Sequence, residues 1–139
     1  MVCIDGELGK KLEEILVKTR VMILGDEVKE AIRILEEAWE LLPNGKYEYD
    51  DSFRIIASIL AGAIKINDKE CILRWKDKIM LANLKRADCG EREMWVGRAN
   101  YVLGDFEGAR EYMEVANNKS RGRCFRPEDS EYKKFYFNL

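Results

Sequence analysis

Apolar residues recur at three- and four-residue intervals along most of the chain, and this spacing is typical of amphipathic helices. It predicts a first helix over residues 7–24 and a second that ends at Pro43. Two further helices are expected within 51–88, two more within 91–117, and a short aromatic helix within 128–139. No segment alternates between apolar and polar residues with period two. The pattern therefore predicts an all-α protein.

The turns between these helices share a design, in which an apolar residue is followed by Gly or Asn and then by Asp. An Asp at such a place can cap the next helix by accepting from its free N–H groups, and Asp26 is expected to cap the second helix in this way. Turns that recur roughly 40 residues apart indicate stacked helix pairs, because one pair cannot bury both of its apolar faces alone. The three turns are Leu24-Gly25-Asp26, Ile66-Asn67-Asp68 and Leu103-Gly104-Asp105.

Residues 96–116 resemble a tetratricopeptide repeat. Gly97 occupies the small position where the two helices of such a repeat cross. Ala109 and Ala116 occupy the small positions of the second helix, with the larger Met113 between them. The first helix pair also resembles this repeat at several positions, whereas the middle pair matches it less well. The matching positions of the first pair are Ala31, Leu35, Ala38 and Pro43.

This resemblance implies a specific all-α architecture. It is a right-handed stack of about three antiparallel helix pairs, an α-solenoid, closed by a C-terminal capping helix. The first pair corresponds to 7–45, the second to 51–88 and the third to 91–117, and the capping helix corresponds to 128–139. The whole chain, 1–139, is then a single domain.

The resemblance also implies a concave groove lined by the first helix of each pair, through which the protein would bind a partner. Trp, Tyr and Arg are the residue types that dominate binding hot spots. The alternative for Met94 and Trp95 is an ordinary place in the core, whereas Arg98 and Tyr101 are harder to place there. The matching positions of the third pair offer Glu91, Met94, Trp95, Arg98 and Tyr101 to the groove, and those of the middle pair offer Arg54, Ser58, Ala61 and Lys65.

Charge adds a second candidate surface. The net charge is only −2, so no global field favours nucleic acid. Residues 119–126, however, carry a lysine and three arginines without an acid, and Arg121 and Arg123 lie at their centre. This basic loop is either a solvated turn or a contact for an acidic partner or a phosphate backbone. Cys124 and Phe125 interrupt the charges and are expected to pack inward.

Several kinds of chemistry find no support in the residues present. The chain has no histidine, which removes the usual acid–base group at neutral pH. Its four cysteines show no paired metal-ligand spacing, so we expect neither a metal site nor a cofactor. No phosphate-binding glycine loop, signal peptide or membrane-spanning stretch is present in the sequence. We therefore predict a cytoplasmic protein that is not an enzyme.

Two functional hypotheses follow. The first is a protein–protein interaction module, a monomer or weak dimer, that binds another protein through its concave helical surface. The basic and aromatic C-terminal region is loosely similar to small bacterial repeat proteins that neutralise toxins, which makes an immunity-type function one form of this hypothesis. The second is a helical protein that binds nucleic acid or another anion through residues 119–126, although the near-neutral charge disfavours nucleic acid.

Overall fold

The computed structural model describes residues 3–82 and 89–138, and these residues are predominantly helical. No β-strand occurs among them, which confirms the all-α prediction. Residues 83–88 of the predicted second pair and Leu139 of the predicted capping helix lie outside the described residues. The α-helices are α1 (Gly6–Leu24), α2 (Val28–Leu41), α3 (Asp50–Lys65), α4 (Lys69–Trp75), α5 (Glu91–Leu103), α6 (Phe106–Ser120) and α7 (Ser130–Phe137).

Three short 3₁₀ helices, Lys46–Glu48, Lys78–Leu81 and Pro127–Asp129, lie between these α-helices. The chain divides into two compact units, Met1–Arg86 and Ala87–Leu139. Within the described ranges, no helix has both the length and the apolar character needed to cross a bilayer.

The first unit is built around α3, which packs against α1, α2 and α4. Its core consists of the apolar faces predicted from the helical spacing, with Leu12, Leu35, Ile56 and Leu60 fully buried. Gly62 lies where α3 approaches α2 closely. A Cβ there would lie 3.2 Å from Ile32 and Val28 side-chain atoms of α2, so the close contact between α2 and α3 depends on its absence.

Helix α4 ends well before residue 88, the predicted end of the second pair. It ends at Trp75, which packs edge-on against Trp39 at 5.5 Å and donates from Nε1 to Glu36 at 3.2 Å. A 3₁₀ turn then carries Ile79 into the core, where it is fully buried. Apolar spacing did not indicate this change of helix type, because α and 3₁₀ turns place apolar residues on nearly the same side.

An aspartate caps the following helix at two of the three turns. Asp68 accepts from the backbone N–H of Cys71 at 3.2 Å, and Asp105 accepts from that of Gly108 at 2.9 Å. The prediction for Asp26 is wrong. Helix α2 begins one residue later than expected, after Glu27, and has no side-chain cap.

The second unit is the α5–α6 pair covered by the C-terminal segment. Gly97 lies where α5 and α6 pack closely, and a Cβ there would come within 2.8 Å of Met113 Cγ. A small core surrounds this crossing, and the aromatic rings of α7 pack against it, so α7 covers the α5–α6 pair. The buried residues of this core are Met94, Ala109, Met113 and Ala116, and Tyr132, Phe135 and Tyr136 cover them.

The two glycines that flank α5 give a matched test of this packing. Gly90 and Gly104 both have left-handed backbones, with φ of 84° and 87°. A Cβ at Gly90 would lie 2.8 Å from backbone atoms of Ala116, whereas one at Gly104 would meet nothing within 4 Å. We expect Gly104→Ala to lower the free energy of unfolding by about 1 kcal/mol through backbone strain alone. Gly90→Ala should cost about 1–3 kcal/mol more, because helix α6 must also shift. Urea unfolding followed by circular dichroism measures both, and equal losses would contradict the described contact between Gly90 and α6.

Candidate functional site

The second unit contains a pocket of about 450 Å³ between the start of α5 and the loop that follows α6. Glu91, Met94 and Arg98 reach it from successive turns of α5, because residues three or four apart share one face of a helix. The α6 helix ends at Ser120, where Arg121 and then Gly122 adopt left-handed backbones and turn the chain back. The described lining contains five cationic side chains, Arg98, Lys119, Arg121, Arg123 and Arg126.

The cations of the pocket are held in different ways. Lys119 Nζ lies 3.0 Å from the carboxylate of the buried Glu93. Arg126 lies 3.9 Å from Glu128, and both of these side chains are largely exposed. Arg121 and Arg123 are exposed and form no ion pair with any residue that the structure describes. Glu91 is the one acid in the described lining, and Arg121 and Arg123 are the lining cations that no described carboxylate neutralises.

Arg98 is the most constrained of these cations. Only 5% of its surface is exposed, and its guanidinium donates to Asp129 Oδ2 at 2.8 Å. The same guanidinium lies over the ring of Trp95, 4.6 Å from its centroid. Its Nε has no hydrogen-bond partner among the described residues. The arginine is therefore fixed in the wall of the pocket with one donor unused.

Asp129 is held by the local fold of the C-terminal segment. It is 4% exposed, and its Oδ2 also accepts from the backbone N–H of Arg126 at 2.9 Å. This bond closes the Pro127–Asp129 turn from which α7 starts. A single carboxylate oxygen thus connects the loop, the start of α7 and helix α5.

The remaining wall of the pocket is less polar. Met94 is buried, and Cys124 lies beside it, with its backbone N–H donating to Ser120 Oγ at 2.9 Å. Burial raises the pKa of the Cys124 thiol, so this group is a neutral thiol at physiological pH and a poor nucleophile. Cys124 and Phe125 both pack against the core of the second unit, which confirms the expectation that they point inward.

The predicted groove residues are distributed over both units. In the first unit, Arg54 pairs with Glu13 of α1 at 2.6 Å. Lys65 donates to the carbonyl oxygens of Ile23 and Gly25 at 2.6 and 3.1 Å and so satisfies the C-terminal end of α1. Both side chains therefore stabilise the packing of α3 on α1.

Seven of the predicted residues lie in the second unit, and the structure brings five of them together. Glu91, Met94, Arg98, Arg121 and Arg123 line the pocket. Trp95 lies behind it, with the guanidinium of Arg98 over its ring and that of Arg126 at 5.8 Å from the centroid. The expectation that Arg98 stays out of the protein interior is wrong, because a distant carboxylate compensates its charge there.

Tyr101 lies under the C-terminal segment. Its ring contacts those of Phe106, Tyr132 and Phe135 at centroid distances of 5.0 to 5.4 Å, and its hydroxyl donates to Glu131 at 3.1 Å. Burial, followed by the hydrogen bond to Glu131, raises the pKa of Tyr101. The chain's own α7 covers this part of the surface that the repeat resemblance assigns to a partner.

Sequence reasoning missed Asp129. One signal was present, since a proline at the first position of a turn with an acid two residues later is typical of a capping box. That signal predicts that Asp129 accepts from the backbone N–H of Arg126. It does not predict the contact of Asp129 with Arg98, which is 31 residues away.

Among residues 3–82 and 89–138, no group of three or more His, Cys, Asp or Glu side chains is arranged to hold a metal ion. No family model, curated protein or solved structure matches this chain.

The buried pair gives a test of the site's framework. Asp129→Asn would leave the charge of Arg98 buried without compensation, and we expect a loss of about 3 kcal/mol in the free energy of unfolding. Glu128→Gln is the matched control, because it removes the carboxylate next to Asp129 in the chain, and that carboxylate is exposed. This change should alter the free energy of unfolding by less than about 0.5 kcal/mol. Urea unfolding of both variants measures the difference. Equal free energies of unfolding for the two variants would show that Arg98 does not depend on Asp129.

Proposed function

We propose that this protein is a non-catalytic binding module, built from tetratricopeptide-like helix pairs, that binds its partner by holding an anionic group in the basic pocket of the second unit. The observation that carries this proposal is the described lining of that pocket, which contains five cationic side chains, two of them, Arg121 and Arg123, exposed and without a described ion pair. A concave site with convergent charges of one sign concentrates ligands of the opposite sign.

The helical-repeat part of the proposal is supported by features at the positions the repeat requires. Gly97 occupies the crossing of α5 and α6 with Ala109 and Met113 against it. Asp68 and Asp105 cap helices at corresponding turns. An antiparallel arrangement of the pairs in a right-handed stack is the architecture we propose on this basis.

The exposed cations of the loop support binding through the pocket rather than through the predicted groove. Arg121 and Arg123 present positive charge without a described ion pair. By contrast, Arg54 and Lys65 are engaged with α1, and Tyr101 is covered by rings of α7. Since an anion gains most from cations that are not already paired, the loop forms the better binding surface.

The shape of the charge distribution favours a protein partner with a discrete anionic group over a nucleic acid. Nucleic acid binding draws on rows of phosphate contacts along an extended basic surface. Here the cations converge on one pocket, and the chain as a whole carries a net charge of −2. An acidic or phosphorylated side chain of another protein fits this arrangement.

The proposal predicts saturable binding of a simple polyanion at the pocket. Inorganic pyrophosphate titrated into isotopically labelled protein should shift the backbone amide resonances of residues 119–126. Arg121→Gln combined with Arg123→Gln should weaken this binding at least about tenfold, because hydrogen bonds between charged groups are lost. Lys133→Gln combined with Lys134→Gln removes the same charge from exposed positions on α7 and should change the affinity less than about twofold.

Three results would contradict this proposal. One is the absence of saturable shifts, and another is equal weakening by the two double variants. The third is tighter binding of a short single-stranded RNA than of pyrophosphate, with a steep dependence on salt, which would support the nucleic-acid hypothesis instead.

A further inference from the structure

We propose that the outer face of α1 is a docking surface for a second copy of this chain, so that two α1 helices pair antiparallel about a two-fold axis. This face belongs to the first unit, whereas residues of the second unit line the basic pocket. Two observations carry the proposal: an exposed row of apolar side chains on α1, and a change in the sign of the unpaired charges along that row.

The first observation is the apolar stripe of α1, which consists of Val17, Val21 and Leu24. These residues are four and three positions apart, so they lie along one face of the helix. Their exposed fractions are 57%, 66% and 75%, although α1 buries Leu12 and Leu16 on its other side. Single exposed apolar residues are ordinary on protein surfaces, but a continuous row is typical of a surface that contacts a partner.

The second observation is the arrangement of charges around the apolar stripe. Lys18 and Arg20 precede Val21 in the chain, and Asp26 and Glu27 follow it in the turn after α1. All four charged side chains are exposed, and none forms an ion pair with a residue that the structure describes. The surface therefore has unpaired cations toward one end and unpaired acids at the other.

A two-fold axis near Val21 makes this surface complementary to itself. Antiparallel pairing places Val17 of one copy near Leu24 of the second and brings the two Val21 side chains together at the centre. It also directs the cations of each copy, Lys18 and Arg20, toward the acidic turn of the other. A parallel pairing would instead set cations against cations and acids against acids. The charge pattern thus favours a second, antiparallel copy as the occupant.

The extent of the apolar stripe limits the strength of this pairing. Glu14, one turn before Val17, is exposed and charged, so the apolar contact ends there. Three apolar side chains from each copy fall well short of the roughly 800 Å² per partner that a stable complex buries. Antiparallel pairing also brings Glu14 toward the acidic turn of the second copy, which weakens the contact further. We therefore expect a dimer that forms only at high protein concentration.

Sedimentation equilibrium of the full chain from about 5 μM to about 500 μM tests the role of the stripe, and the wild-type chain should pass from monomer toward dimer over this range. Val21→Asp places a charge at the centre of the contact and should weaken dimerisation at least about tenfold. Leu73→Asp is the matched control, because Leu73 is 59% exposed on α4, outside the stripe. It should change the dissociation constant less than about twofold. If circular dichroism shows that Val21→Asp does not fold, Val17→Asp tests the same contact.

Paired charge reversal tests the antiparallel arrangement. One variant carries Lys18→Glu with Arg20→Glu, and the other carries Asp26→Lys with Glu27→Lys, so each has charges of a single sign at both ends of the stripe. Each variant alone should dimerise at least about tenfold more weakly than the wild type, whereas an equimolar mixture of the two should form the heterodimer. Glu14→Lys alone should strengthen the wild-type dimer at least about twofold, because it removes the repulsion from the acidic turn.

The outcomes decide between a second copy and another occupant. A wild-type chain that stays monomeric at the highest concentration would overturn the proposal and leave the stripe to a different protein. Equal effects of Val21→Asp and Leu73→Asp, or a mixture of the charge variants without heterodimer, would also overturn it. Pyrophosphate binding by the second unit is measured separately, so the two proposals stand or fall independently.

Discussion

The ion pair between Arg98 and Asp129 is the interaction on which the second unit's architecture depends. Each side chain is nearly excluded from solvent, so each charge requires the other. The pair fixes the C-terminal segment to α5, and the bond from Arg126 to the same carboxylate sets the turn that starts α7. Helix α7 begins at this turn and carries aromatic rings that cover the α5–α6 core. A buried ion pair adds little stability compared with an apolar contact, but it specifies one arrangement of this loop.

This arrangement explains how a chain with a slight excess of acid can present a basic pocket. Asp129 neutralises Arg98 and Glu93 neutralises Lys119, so the charge that the pocket presents comes from its remaining cations. The left-handed turn at Arg121 directs the following residues back toward the pocket. Arg121 and Arg123 are then left exposed with no described counterion. The proposed anion binding therefore depends on which charges are paired locally rather than on the net charge.

Periodicity predicted most of the fold because helical burial is a local property of the sequence. Helix α5 begins at Glu91, where the predicted third pair begins, and Gly97 lies at the crossing that its small size indicated. The end of α4 could not be predicted, because a 3₁₀ turn and an α turn bury the same residues. The cap at Asp26 failed because α2 begins one residue further along the chain than the pattern indicated.

The candidate site was predictable only where its signal was local. The basic loop was visible as a run of cations without acids. Arg98 was expected on an open face, since nothing in its neighbourhood along the chain offers a buried counterion, and its partner lies 31 residues away. Tyr101 was assigned to a groove for the same reason, although rings of α7 cover it. Contacts between distant segments decide whether a polar residue on a helix is buried or free, and spacing along one helix does not contain that information.

The central claim is that the cations of the loop hold an oxyanion in the pocket. Anomalous diffraction from crystals grown with tungstate, a heavy-atom analogue of phosphate, tests this claim directly, because the tungsten position needs no assumption about the natural ligand. The account predicts a tungstate within about 3 Å, oxygen to nitrogen, of the guanidinium of Arg121 or Arg123. Tungstate bound only at other cations of the surface, with the pocket empty at a saturating concentration, would contradict it.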